Sequence, residues 1–178
     1  MYFGWTQVAF DEELREDVVP VDVGGRALVA VRRADGYAVH DARCPHRGAH
    51  LGHGGRLDDG ALVCPFHGHR VRLGDENDGG EPYPFHVRGY PSVHLAGGLF
   101  VLFDSEHDTG LGDRLSGISR THHVHPAFAR HIAVPPEYVI ENVLDADHFA
   151  EVHALTRRPD MDVREEPAGS LRVDGHLE

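Results

Sequence analysis

The chain has 178 residues, of which 40% are apolar, and it carries a net charge of −12. This length and composition predict a globular protein of one domain or two small ones, and the negative charge argues against nucleic-acid binding. There is no apolar run of about eighteen residues, as a membrane-spanning helix needs, and no signal-like N-terminus. Its 2 cysteines are too few for a disulfide framework, so we expect a cytoplasmic protein with free thiols.

The first hundred or so residues predict β-structure. Apolar-rich, alternating segments predict strands at Val18–Val23, Ala27–Arg33 and Tyr37–His40. The dipeptides Gly24-Gly25 and Asp35-Gly36 join these strands and predict hairpin turns, because both residues of such a pair can take positive φ. A last hairpin is predicted over His94–Phe103, around Ala96-Gly97-Gly98. Segments rich in Pro, Gly or His predict loops at Arg43–Leu51, Cys64–Arg70 and Gly74–Gly80.

The character of the sequence changes after residue 104. Asp104–Ser119 is polar, rich in glycine and without apolar periodicity, which predicts a connector, and His131–Val134 predicts a short strand. We therefore expect a first domain at residues 1–104, a connector at 105–120 and the beginning of a second domain at 121–178.

The second domain is expected to begin with a helix. Pro135-Pro136 can open a helix but cannot continue one, so the pattern predicts a helix over Glu137–Leu155 that Pro159 ends. In the tail Ser170–Glu178, the pair Asp174-Gly175 predicts the turn of a hairpin that is only begun.

Two short loops carry the strongest chemical signal. The first offers Cys44 and His46, the second Cys64 and His67, and each cysteine is followed by proline, with a glycine closing the motif. Two cysteines on one iron and two histidines on the other would ligate a [2Fe–2S] cluster. A structural zinc site is the alternative, but zinc fingers usually pair cysteine with cysteine on one knuckle, whereas each loop here mixes both ligand types.

A second constellation lies on the predicted helix, at Asn142, Asp145, His148 and His153. Two imidazoles and a carboxylate form the ligand set of non-haem Fe(II). Five residues separate His148 from His153, so the two can share a metal only if the helix is irregular there. A polar helix surface is the alternative reading in a sequence with 16 histidines.

The two loops, with the segments Cys44–Leu51 and Val63–Gly68 around them, resemble the Rieske family. Respiratory Rieske proteins add a second cysteine to each loop and join the two as a disulfide. Ala49 and Phe66 stand at the matching places here, so the resemblance favours oxygenases or Rieske ferredoxins. It implies a mainly β Rieske domain, followed by the opening of an α+β catalytic domain of the helix-grip type.

The stretch from Glu141 to Phe149, together with His153, resembles the mononuclear-iron motif of Rieske non-haem iron oxygenases. The resemblance implies that His148 and His153 bind Fe(II). It also implies that Asp145 bridges to a cluster histidine of a neighbouring subunit, here His67, with Asn142 close by. Electrons would come from an NAD(P)H-dependent reductase or a ferredoxin, and the assembly would be based on trimers.

The sequence departs from that family in one respect, because no carboxylate stands where the family places its third iron ligand. A split enzyme completed by a second polypeptide is the favoured hypothesis. A fragment and a ferredoxin-like electron carrier with a vestigial tail are the alternatives. The segment between Cys44 and Phe66 looks most like the steroid-oxidising group, which implies O₂-dependent hydroxylation or desaturation of a hydrophobic organic substrate.

Overall fold

The structure is a computed structural model that describes residues 4–74, 84–125, 132–167 and 170–176. The chain divides into two compact units, Met1–Pro126 and Ala127–Glu178. None of the described helices has the length and apolar character needed to cross a membrane.

The first unit is built from short strands and one α-helix. The strands are β1 Trp5–Phe10, β2 Val18–Val23, β3 Arg26–Arg33, β4 Gly36–Asp41, β5 Arg56–Asp58, β6 Ala61–Val63, β7 Arg70–Leu73, β8 His86–Val87, β9 Gly89–Tyr90, β10 Ser92–Leu95 and β11 Gly98–Leu102. They form sheets in the orders β1-β11-β10, β2-β3-β4-β9 and β5-β6-β7-β8. All pairs are antiparallel except β7 with β8.

The predicted hairpins of this unit are confirmed, but the turn between β3 and β4 differs in detail: it lies at Ala34 and Asp35, Gly36 at φ 138° already begins β4, and Asp35 is not at positive φ. β2, β3 and β4 pair in sequence order, and the turn between β2 and β3 uses Gly24 at φ 55° and Gly25 at φ 82°. The last hairpin, β10–β11, turns at Ala96 and Gly97, which have φ of 58° and 79°. Positive φ at both central residues matches the right-handed twist of the strands, which explains why these dipeptides predict the turns.

Two apolar cores support the unit. One lies between the sheet β2-β3-β4-β9 and strand β11 of the three-stranded sheet, and it includes Leu28, Val39, Leu99 and Val101, all fully buried. The other core lies between the opposite face of the sheet β2-β3-β4-β9 and the sheet β5-β6-β7-β8. Its members are Val18, Val29, Val31, Ala42, Cys44, Leu51, Leu62, Cys64, Val71 and Val87. The second core thus contains both cysteines of the two loops, so the packing that stabilises the fold also positions them.

The segment predicted as a connector, Asp104–Ser119, contains helical structure. A 3₁₀ turn at Ser105–His107 precedes an α-helix, α1, over Leu111–Ser119. Leu111, Leu115 and Ile118 stand at the three- and four-residue spacing of a helical face, which the interspersed glycines obscure. Gly110, at φ 68°, begins the helix. The predicted loop at Gly74–Gly80 lies outside the described residues after its first residue.

The second unit contains two helices and a hairpin: α2 Pro136–Leu144, α3 Ala146–Val152, β12 Met161–Glu166 and β13 Ser170–Gly175. Pro136 opens a helix as predicted. The prediction of one helix over Glu137–Leu155 is wrong. Asp145, with φ of −83° and ψ of 96°, is not helical and separates α2 from α3, and α3 ends at Val152. The described part of the strand predicted at His131–Val134, from Ile132 onward, is not a strand.

The tail also differs from its prediction. Asp174 and Gly175 do not form a turn; they belong to β13, which pairs antiparallel with β12 and brings Val163 opposite Val173. Met161, Val163, Leu171 and Val173 share one face of this hairpin with Glu165, and the other face carries Asp162, Arg164, Arg172 and Asp174. The alternation of these residues carries a strand signal that the Asp-Gly pair overrides in a reading of the sequence alone.

Candidate functional site

The two histidine-cysteine loops have the same backbone frame. In the first, the Cys44 N–H donates to the Ala49 carbonyl at 2.9 Å, and the Gly48 N–H donates to the Cys44 carbonyl at 2.8 Å. The second loop repeats both hydrogen bonds: the Cys64 N–H donates to the His69 carbonyl at 2.8 Å, and the Gly68 N–H donates to the Cys64 carbonyl at 3.0 Å. Both closing glycines have positive φ, 72° and 70°. This conformation is easiest for glycine, which explains the matched Gly48 and Gly68.

The frame brings the two cysteines together. Cys44 and Cys64 are 3% and 2% exposed, both thiols are free, and they lie within hydrogen-bonding reach of each other. Burial raises the pKa of Cys44, and the neighbouring Cys64 thiol raises it further. The Cys44 thiol therefore resists ionisation, whereas a metal bound between the two sulfurs would stabilise both as thiolates.

The two histidines form the other half of the site. The rings of His46 and His67 lie 4.8 Å apart between centroids, at an angle of 79°. The Nδ1 atom of His46 is buried and has no hydrogen-bond partner within the described part of the chain. Desolvation, followed by the nearby His69, lowers the pKa of His46, which favours the neutral imidazole that metals bind. A buried nitrogen without a partner is costly, and a metal ligated there would satisfy it.

These four side chains are grouped in pairs. Within the described residues, no three His, Cys, Asp or Glu side chains converge to hold a single metal ion. A cysteine pair and a separate histidine pair suit a group with two metal atoms better than one tetrahedral zinc ion, which needs four ligands at one point.

Two further aromatic side chains cover His46. The ring of His69 lies 4.5 Å from that of His46, and the ring of Phe85 lies 5.6 Å from it. Phe85 carries no signal in the sequence, because only the folded chain brings it to the loops. His50 and His53 pack on each other at 4.3 Å, and His50 Nδ1 accepts a hydrogen bond from the Gly52 N–H at 3.1 Å. His50 therefore has a local structural role.

A close backbone approach holds the segment that follows the first loop. A methyl group at Gly55 would lie 2.0 Å from the Leu51 carbonyl oxygen and 3.4 Å from that of Val63. Only glycine fits at this distance. Gly55 therefore allows the chain to pass tightly between the first loop and β6, which leads into the second.

The helix break places the second constellation. Asp145 lies between α2 and α3, and its carboxylate accepts hydrogen bonds from the N–H groups of Asp147 at 3.1 Å and His148 at 3.3 Å. Asp145 is therefore the N-cap of α3. His153 is the C-cap of α3, directly after its last residue Val152, and Ala154 follows it with φ of 52°.

The irregularity at both ends of α3 brings its two histidines together. The Nε2 atoms of His148 and His153 lie 3.0 Å apart, and Asn142 Nδ2 lies 3.2 Å from Nδ1 of His148. Two nitrogens bound to one metal at right angles, each at roughly 2.1 Å, are separated by about 3 Å, so the pair fits a shared metal. A hydrogen bond between two neutral imidazoles fits the same distance. No carboxylate in the described residues completes a set of three ligands.

Residues 4–91 match the family described as Rieske [2Fe-2S] domain. Aminopyrrolnitrin oxygenase PrnD from Pseudomonas fluorescens is 32% identical over 176 residues, covering 85% of this chain and 46% of that protein. Cholesterol 7-desaturase nvd from Drosophila melanogaster is 29% identical over 163 residues, covering 84% of this chain and 38% of that protein. The chain thus spans less than half the length of these relatives.

Solved structures show the same fold. Dicamba monooxygenase bound to dicamba superposes with a TM-score of 0.61 over 97% of this chain and 57% of its own, at 24% identity. The QL mutant of NdmA from Pseudomonas putida CBB5, in its structure with caffeine, gives a TM-score of 0.61 over 96% of this chain and 56% of its own, at 20% identity.

Proposed function

Since residues 4–91 are a Rieske [2Fe–2S] domain and the chain is a relative of the Rieske non-haem iron oxygenases, we propose that it is the electron-receiving part of such an oxygenase. The predicted fold class, a mainly β Rieske domain with the opening of the catalytic domain behind it, is confirmed. When bound, a [2Fe–2S] cluster carries one electron at a time, and a mononuclear Fe(II) activates O₂ for oxidation of an organic molecule.

We propose Cys44, Cys64, His46 and His67 as the cluster ligands. The observation that carries the proposal is the buried, unpartnered Nδ1 atom of His46 beside the buried cysteine pair. The cysteines would ligate as thiolates and the histidines as neutral imidazoles, and the latter raise the cluster potential above that of an all-cysteine cluster. Phe85 and His69 would limit the access of water to His46.

We propose His148 and His153 as ligands of the mononuclear iron. Both Nε2 atoms would face the metal, so Nδ1 of His148 would carry the proton. Asn142 would then present its amide oxygen to that N–H, a rotation of the amide that leaves its position unchanged. Asp145 would orient the pair through its cap on α3, and its proposed bridging to His67 of a neighbouring subunit would couple the two sites.

The two-histidine site needs a carboxylate from elsewhere. Side chains of the second unit also leave apolar surface open: Val139, Val143 and Leu171 are 47%, 53% and 54% exposed. Exposed apolar area of this kind is usually covered in the working protein. We therefore propose that a second polypeptide supplies both the third iron ligand and the cover, in an oligomer based on trimers.

The substrate class follows the relatives. The names of aminopyrrolnitrin oxygenase and cholesterol 7-desaturase both refer to reactions of largely apolar organic molecules. We propose a hydrophobic organic substrate, oxidised by hydroxylation or desaturation, with electrons supplied by an NAD(P)H-dependent reductase or a ferredoxin.

A Rieske ferredoxin-like carrier is the second candidate. The observation in its favour is the openness of the α3 site, where His153 is exposed and no described carboxylate joins the pair. Such a carrier would hold the cluster and would use His148 and His153 only as surface residues.

Iron content and EPR on the purified chain separate the two candidates. The carrier predicts about two irons per chain, all in the cluster, and the oxygenase predicts about three once the polypeptide that supplies the third ligand is present. The variant His153→Ala should lose the third iron and keep the cluster signal, and the matched control His123→Ala, at an exposed histidine of the first unit, should keep both. A wild-type chain with two irons, even after co-expression with a second polypeptide, would contradict the oxygenase assignment.

A further inference from the structure

A cavity of about 480 Å³ opens beside the first cluster loop and is rich in positive charge. The residues that line it include Arg26, Asp41, Arg43, Pro45, His86 and Arg88. Three arginines and a histidine thus face a single carboxylate, in a chain whose net charge is −12. The side chains around the cavity are therefore mainly positive, opposite in sign to the net charge of the chain.

The arginines are held in place by groups other than carboxylates. Arg26 donates to the Tyr90 hydroxyl at 2.6 Å and stacks over the rings of Tyr90 and Phe103 at 4.9 and 4.8 Å. The guanidinium of Arg88 also lies over the ring of Tyr90, at 5.0 Å from its centroid, and Arg43 donates to the Gly48 carbonyl at 3.2 Å.

The one carboxylate of the cavity has another partner. Asp41 accepts a hydrogen bond from Tyr90 at 2.7 Å, and no ion pair joins it or any described carboxylate to Arg26, Arg43 or Arg88. The three guanidinium charges are exposed and preorganised, which is the condition under which they attract an anionic partner strongly.

The cavity also adjoins the first of the two loops that carry the proposed cluster ligands. Pro45 forms part of its wall and joins Cys44 to His46 in the chain, so the wall is one covalent link from two of the proposed cluster ligands. Arg43 immediately precedes Cys44 and binds the closing glycine of the same loop. A partner seated in the cavity would therefore rest against the loop through which an electron could enter.

We propose that this arginine cavity docks an acidic one-electron donor protein, such as a ferredoxin or a ferredoxin domain. The inference rests on the proposed function, because only a protein with a cluster in these loops needs a donor here. A protein is favoured over a small anion because Arg26, Arg43 and Arg88 are all exposed at the surface. Several exposed charges around an open cavity suit a convex acidic surface.

The proposal predicts the direction in which added salt changes the rate constant of association with the donor. Two proteins of net negative charge repel each other, so without a local basic site the rate constant of their association should rise with added salt. If the donor docks on the arginine cavity, attraction at short range dominates and the rate constant should fall with added salt.

The test is stopped-flow reduction of the cluster-loaded chain by a reduced plant-type [2Fe–2S] ferredoxin, at ionic strengths from about 10 to about 500 mM. We expect the wild-type rate constant to fall with salt. Arg88→Glu should lower it about ten-fold or more at low salt, and Arg88→Gln should lower it less. Arg120→Glu, an equal charge change at an exposed arginine outside the cavity, should stay within about two-fold of wild type.

Two controls separate docking from damage. Reduction by methyl viologen radical, which needs no docking, should be unchanged within about two-fold in Arg88→Glu, with an unchanged cluster EPR signal. A wild-type rate constant that rises with salt, or equal effects of Arg88→Glu and Arg120→Glu, would overturn the inference. So would inhibition by inorganic phosphate at fixed ionic strength, which would assign the cavity to a small anion. Absence of the EPR signal from the wild type would instead overturn the proposed function itself.

Discussion

Asp145 combines two roles that substitution can separate. Its carboxylate caps α3 through hydrogen bonds of 3.1 and 3.3 Å to the N–H groups of Asp147 and His148. The same carboxylate is proposed to bridge to a neighbouring subunit. Asparagine caps a helix about as well as aspartate, whereas alanine does not cap at all. Asp145→Asn therefore keeps the first role and removes the charge needed for the second, and Asp145→Ala removes both.

The size of the capping effect follows from the structure. α3 spans only seven residues, too few to be stable without help from its surroundings, and both proposed iron ligands depend on it. Loss of an N-cap costs about 1 kcal/mol, which lowers the population of the helix relative to its unfolded form about five-fold. Amide hydrogen exchange in peptides that cover residues 146–153 should therefore accelerate about five-fold in Asp145→Ala and remain near wild type in Asp145→Asn.

Electron delivery tests the second role. In the assembled enzyme, the re-oxidation of the reduced cluster by O₂ in the presence of substrate should slow by about ten- to a hundred-fold in both variants, because both lack the carboxylate. The cluster EPR signal should be unchanged in both. Equal exchange rates for the alanine and asparagine variants would refute the capping argument. Wild-type re-oxidation in Asp145→Asn would refute the bridging role and leave Asp145 as a cap alone.

Two predictions concern the first unit. Gly55→Ala should lower the free energy of unfolding by about 3 kcal/mol or more, because its methyl group would overlap the Leu51 carbonyl, whereas Gly60→Ala, at φ 74° with open space around it, should cost about 1 kcal/mol; urea unfolding of both variants measures the difference, and equal losses would contradict it. Burial lowers the pKa of His40 from 6.5 to about 4, and both ring nitrogens lack partners in the described residues. The unfolded state therefore binds a proton more readily, and stability should fall by about 2 kcal/mol between pH 7 and pH 5 through this group. His40→Leu should remove that share of the pH dependence and the exposed His123→Leu should not; a wild-type slope in His40→Leu would show that another group is responsible.

The hairpins and the cluster loops could be predicted because their signals are local. Gly24 and Gly25 adopt at little cost the positive φ that a two-residue hairpin turn needs, and the loop motifs repeat proline and glycine at fixed offsets from cysteine. The cover of His46 by Phe85 could not be predicted, since it depends on how β7 and β8 pair.

The break at Asp145 was within reach of the sequence. Aspartate is a preferred N-cap residue and Asp147 adds an acidic group to the first turn after it, but the continuous run of helix-compatible residues around Asp145 favours a single helix. The condition that the histidines can meet only on an irregular helix is met by this break and by the end of α3, with the Nε2 atoms 3.0 Å apart. Their role as iron ligands stays a prediction.

The two cluster loops have the same main-chain hydrogen bonds, but their cysteine-to-histidine spacings differ by one residue. The histidine is the second residue after Cys44 in the first loop and the third after Cys64 in the second. The offset leaves His46 with a buried Nδ1 and His67 exposed. The loops are therefore not interchangeable modules, even though their main chains are. The spacing of histidine from cysteine, rather than the course of the main chain, therefore distinguishes a ring sheltered by the protein from one open to a neighbouring molecule.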